Sequence, residues 1–176
     1  MSNHTLLTMG AFILLTSILL GFYNLLGSTG TDITEAQDLI LATTMATSYI
    51  ELAQGLSFDS VTDTSSLAIG NPSILTRAHK LGPEPSEGDD SIAVFNDFDD
   101  FDGLTVTRQA TGGNKRFTTN FAVYYVNPDD VDSVSTSETF VKRMDLKIWR
   151  SFPSPSMDES IDTLRVSFIL GYFHFD

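Results

Sequence analysis

The chain has no cysteine, which removes disulfides and thiolate metal centres from consideration. Its three histidines, His4, His79 and His174, lie far apart in segments of different character. Nothing resembles a nucleophile elbow or a paired-histidine zinc motif, so the sequence offers no catalytic residue and reads as non-enzymatic. Basic residues are scarce: ten Lys and Arg stand against 23 Asp and Glu, for a net charge of −13. Nucleic acid and anionic lipid both need clustered positive charge, so neither is an expected partner. The scarcity is also uneven. No Lys or Arg precedes Arg77, and no charged side chain of either sign occurs before Asp32.

That uncharged stretch contains an almost unbroken apolar run from Leu6 to Leu26, including Leu6, Phe12, Leu15, Leu19 and Phe22. As a helix rising about 1.5 Å per residue it is roughly 30 Å long, the thickness of a bilayer's hydrocarbon core. A helix apolar on every side must be buried in lipid or in other protein. The flanking lysines and arginines of an anchor, and the basic opening of a secretory signal, are missing. The expectation is that a short basic leader is removed ahead of Met1.

Gly27-Ser-Thr-Gly30 follows, each glycine costing a helix about 1 kcal/mol, and predicts a flexible or melted joint in what could be one long rod. Thr31 or Asp32 then offers a fresh N-cap, with Glu35 at capping-box spacing from Asp32. From there to Leu56 the period is helical. Ala36, Leu39, Ile40, Ala46, Tyr49, Ile50 and Ala53 make one apolar face, and Gly55 is a plausible stop. Residues 57–103 lose periodicity and gather prolines, glycines and acidic side chains: Glu84, Glu87, Asp89, Asp90, Asp97, Asp99, Asp100 and Asp102. Beyond Gly103 the period becomes two. Strands are predicted at 104–107, 117–126, 140–150 and 163–175, separated by Thr111–Asn114, Asn127–Asp130 and Ser151–Pro155. The polar tract Ser133–Ser137 reads as a loop. The fold class predicted is α+β: a long N-terminal helix, apolar then amphipathic, packed on a four-stranded antiparallel sheet. Two parts follow, an apolar segment at 1–30 and a head at 31–176 built of helix 32–56, acidic region 57–103 and sheet 104–176.

An uncharged apolar helix, a glycine-weakened joint, an amphipathic continuation, an acidic loop and an antiparallel sheet together resemble the type IV pilins and the pilin-like proteins of type II secretion. The loop Asn96-Asp-Phe-Asp-Asp-Phe-Asp-Gly103 is similar to the Asp-rich loops that many such proteins carry before the first strand. The resemblance covers most of the chain. It implies a single-pass inner-membrane precursor that a leader peptidase cleaves and methylates at Met1. The product would be a homo-oligomeric helical filament with apolar helices in its core and sheets outside, serving adhesion or secretion at the cell surface. The assembly residues implied are Met1, Thr5, Leu6, Phe12, Leu15, Leu19, Phe22, Gly27 and Gly30. Thr5 departs from the family's Glu at the fifth mature position, since a hydroxyl accepts a hydrogen bond but cancels no charge. Within the family the alternative is a pseudopilin acting as a secretion piston. Outside it, the alternative is a single-pass anchor displaying a binding domain.

The acidic run is the sharpest local feature of the head. Asp97, Asp99, Asp100 and Asp102 are a candidate Ca²⁺ site, because that ion takes six to eight oxygen ligands. The run lacks an EF-hand's pattern: Phe101 falls where an oxygen belongs and no closing Glu follows. The other reading is a solvated turn whose Phe98 and Phe101 tuck into the core. Asp129, Asp130 and Asp132 are a weaker group of the same kind. No other cofactor is expected. The thirteen Phe, five Tyr and one Trp fall mostly on strand faces and in the apolar helix, where packing accounts for them.

Overall fold

A computed structural model describes residues 3–64, 70–84, 92–110, 114–152 and 163–172. The chain divides into two compact units, Met1–Ile40 and Leu41–Asp176. The links predicted at Thr111–Asn114 and Ser151–Pro155 fall largely outside the described residues, as do Glu87, Asp89, Asp90 and His174.

One helix, α1, runs from Asn3 to Gln54. The predicted joint at Gly27–Gly30 is absent, and neither Thr31 nor Asp32 caps a second helix. Starting a new helix costs a nucleation step, whereas continuing one adds a hydrogen bond per residue, and this offsets two exposed glycines. Side chains reinforce the passage: Ser28 and Thr29 hydroxyls donate to the Leu25 carbonyl at 3.0 and 2.8 Å, and Thr34 donates to Gly30 at 3.0 Å. Taken by itself, the first unit is helix with its apolar side chains bare. Every large apolar residue from Leu6 to Leu26 is more than half exposed. Leu39 and Ile40, expected on the buried face, are exposed too.

In the second unit the last turns of α1 cover a sheet. Ala42, Ala46, Tyr49 and Ala53, at helical spacing, are buried. Three of the four are alanines, which let the helix backbone approach closely. Gly55 follows the helix's last residue, and its N–H donates to the Leu52 carbonyl at 3.1 Å. Beneath lie β1 (Thr105–Gln109), β2 (Arg116–Asn127), β4 (Val141–Phe152) and β5 (Thr163–Gly171), ordered β1-β2-β4-β5 and antiparallel throughout. Phe121↔Leu146 and Leu146↔Val166 show the register carrying apolar residues across the inner face. Tyr49 stands edge-on to Phe121, with ring centroids 5.0 Å apart.

The sheet has five strands rather than four. β3 (Asp130–Val134) pairs with the end of β2, through Val126↔Val134 and Asn127↔Asp130. Its acidic, mostly exposed residues carry no alternating apolar signal, which is why the segment reads as turn and loop from sequence. The region before the sheet contains a short helix, α2 (Ser60–Thr64), and three single-turn 3-10 segments at Pro72–Ile74, Ile92–Val94 and Asp99–Phe101.

Candidate functional site: the buried carboxylates of the head

The acidic run is not a solvated turn. Asp97, Asp99 and Asp100 are buried as completely as Phe98 and Phe101 beside them, while Asp102 is half-buried. Phe98 and Phe101 do enter the core, Phe101 packing on Phe95 and Phe121 at centroid distances of 5.3 and 5.4 Å. With residues 98 and 101 fixed inward on one tight 3-10 turn, the aspartates between and beside them are drawn in as well. The segment is also tied to the end of α1. The Ser57 N–H donates to the Asn96 carbonyl and the Phe98 N–H to the Ser57 carbonyl, at 3.3 and 2.9 Å. Gly103 closes the loop with φ +75°, a conformation that side chains rarely adopt.

The four aspartates have three different fates. Asp102 serves the backbone: just ahead of β1 the Leu104 carbonyl receives the Phe121 N–H at 3.0 Å, and the next N–H on that edge of β2, that of Val123, donates to Asp102 Oδ1 at 2.7 Å. A side chain thus extends the ladder where the strand has stopped. Burial pushes the Asp102 carboxyl up, opposed by the bonds from Val123 and Gly103.

Asp99 serves a cation. Lys142 is fully buried, and its ammonium contacts Asp99 Oδ1, Asp59 Oδ2 at 3.0 Å and the Phe58 carbonyl at 2.7 Å. The Phe58 and Tyr125 rings flank it, with centroids 4.6 and 5.2 Å away. Asp59 is held from the other side by the Thr76 N–H at 3.0 Å and receives the Tyr125 hydroxyl at 3.3 Å, which also donates to the Thr76 carbonyl at 2.8 Å. Burial pushes Asp99 upward against the pull of Lys142. Burial, joined by the charges of Asp59 and Asp99, pushes the Tyr125 hydroxyl above its ordinary value.

Asp97 and Asp100 turn the other way, and Glu84 joins them: the three carboxylates each bring an oxygen within 4.8 Å of the others. Asp97 Oδ1 accepts the Asp99 N–H at 2.9 Å, and Asp100 Oδ2 accepts the Asn96 and Asp97 N–H groups at 2.9 and 3.1 Å. Asp97 Oδ2 and Asp100 Oδ1 are buried and accept no hydrogen bond from the described residues. Burial first, then the neighbouring Asp99 and Asp100, push Asp97 up to about 9.

The structure therefore divides the predicted set Asp97, Asp99, Asp100 and Asp102: two remain together, one pairs with Lys142 and one with the backbone. Glu84, Asp59 and Lys142 were not foreseen as members. Lys142 did carry a signal, since it shares strand parity with the apolar Met144, Leu146 and Ile148 and is a charged residue on that face of β4. Asp129, Asp130 and Asp132 are exposed around the β2–β3 turn, where Asp132 pairs with Arg143 at 3.3 Å. His4 and His79 are exposed in separate units.

No family model, curated protein or solved structure matches the chain.

Proposed function

We propose that the protein is a structural subunit of a type IV pilus-like helical filament, assembling through its N-terminal helix. The observation that carries this reading is the first unit itself, a helix long and apolar enough to cross a membrane. Several of its hydroxyls are satisfied locally. The hydroxyls of Thr8, Thr16, Ser17, Ser28 and Thr29 all donate to carbonyls three or four residues back in the same helix. Those hydroxyls need no partner outside the helix, which suits it to lipid. The same surface packs against copies of itself once lipid is exchanged for neighbouring helices. Water is the unfavourable environment, at about 25 cal/mol for each Å² of exposed apolar surface. The gain over lipid is smaller and comes from packing, which makes an energy-driven assembly machine the natural companion.

In this reading the precursor waits in the inner membrane as a single-pass protein, and the acidic head becomes the outer, hydrated face of an extracellular filament. The role is mechanical, with homo-oligomerisation as its chemistry and no catalysis. Leu6, Phe12, Leu15, Leu19 and Phe22 are the core contacts, and Thr5 stands where a charge-neutralising Glu would assist docking. Helix α1 passes uninterrupted through Gly27 and Gly30, with any melting of that stretch a later event of assembly.

The test is to shear native cells, image the released material by negative-stain electron microscopy and identify its main protein by mass spectrometry. Filaments composed chiefly of this chain are the expected result. Retention of the chain in membranes without such filaments would replace this reading with a pseudopilin or an anchored binding domain.

A further inference from the structure

We infer that Glu84, Asp97 and Asp100 form a Ca²⁺ site that clamps the 81–84 segment to the 96–102 loop. Asp97 and Asp100 each have no exposed surface, and each leaves one carboxylate oxygen without a hydrogen-bond donor among the described residues. Buried carboxylate oxygens in that condition call for a proton or a cation, and Lys142 is already committed to Asp59 and Asp99 on the other side of the loop. The arrangement is also preorganised. Backbone N–H groups hold Asp97 through Oδ1 and Asp100 through Oδ2, so the opposite oxygen of each is the one left for an ion.

The 81–84 segment is delivered by Gly82, whose φ of +119° turns the chain beside the loop; a Cβ there would lie 3.6 Å from the Asp102 carbonyl oxygen. Glu84 follows two residues later, and its carboxylate completes the group. The donor set selects the ion. All three ligands are hard oxygens, with no nitrogen or sulfur donor among them, which disfavours zinc and the softer transition metals. Three converging carboxylates exceed the one or two that Mg²⁺ usually takes while keeping its water. They suit Ca²⁺, which tolerates flexible geometry and several carboxylates.

The test uses the full chain in detergent micelles, stripped with EGTA and titrated with CaCl₂ while thermal unfolding is followed by circular dichroism, with calorimetry for affinity. The expected result is a saturable rise in Tm and a Kd at or below the millimolar range of extracellular Ca²⁺ modules. Asp97→Asn and Glu84→Gln should each weaken binding tenfold or more, while Asp129→Asn at the exposed turn leaves it unchanged. Glu84→Gln is the safer variant, since residue 84 is only partly buried. An unchanged Tm and no binding heat up to about 10 mM CaCl₂, roughly tenfold above the weakest of those modules, would overturn the inference. So would an equal response to MgCl₂, or a Glu84→Gln chain that binds Ca²⁺ as the native chain does.

Discussion

Two faces of one short loop solve the same electrostatic problem differently. On one side Asp99 meets Lys142, which lies 43 residues further along the chain, and Asp59 completes the group. On the other side Asp97 and Asp100 meet Glu84, another acid, and among the described residues no Lys or Arg bonds to either aspartate. The aspartates of both groups are buried, where isolated charge is costly. The difference teaches that burial alone does not say how a carboxylate is satisfied. The first group is closed within the protein and stabilises the head unconditionally. The second is open, and its contribution depends on what the surroundings supply.

Replacing Lys142 by Met breaks the comparison most severely, because it makes the closed group resemble the open one. Two buried carboxylates then lack their cation, and the head should lose about 3–5 kcal/mol. Denaturant titration of the full chain in micelles measures this. A loss under about 1 kcal/mol would show that Lys142 is not the counter-charge. Adding Asp59→Asn and Asp99→Asn to that variant should recover much of the loss.

Asp102→Ala probes the carboxylate spent on the backbone. It leaves the Val123 N–H without its acceptor, and a cost of about 2 kcal/mol is expected. Amide hydrogen exchange at Val123 should accelerate, and unaltered protection there would refute the ladder-extending role.

Tyr125→Phe sharpens the closed group from its rim. Loss of the hydroxyl's bond to the Thr76 carbonyl should cost about 1 kcal/mol at neutral pH. The hydroxyl's raised pKa also makes a prediction with a definite sign. The folded state favours the protonated phenol, so its stabilisation is complete below the unfolded value near 10 and is lost as pH rises above it. The variant's alkaline melting curve should therefore fall less steeply above pH 10 than that of the native chain.

The smallest expected effect separates the two groups in sign. In EGTA, Asp97→Asn spares the head the cost of burying and neutralising a carboxylate among other acids, so stability should rise by about 1 kcal/mol. A loss of several kcal/mol would mean that the open group is closed after all.

The apolar helix, its exposure and the change of period from 3.6 to two are properties of neighbouring residues, and they are legible in the sequence. So is the inward direction of Phe98 and Phe101, which follows from their place in an otherwise polar run. The supposed joint at Gly27–Gly30 was misread because residue propensity does not include the cost of restarting a helix. β3 was missed because an exposed edge strand of Asp, Val, Asp, Ser and Val has no apolar face to advertise. The aspartates stand out in the sequence, but their solvated reading failed, since a residue's polarity does not tell how tightly two flanking phenylalanines pull its backbone inward.

By itself, then, the sequence determined most elements of this protein and the apolar character of its first helix, because both follow from side-chain periodicity and composition. Only the tertiary structure decided which carboxylate meets Lys142, which extends a strand and which two turn toward Glu84. Those pairings join residues separated by 13 to 83 positions. They depend on strand register and on the turns at Gly82 and Gly103, which bring the partners within a few ångströms of one another.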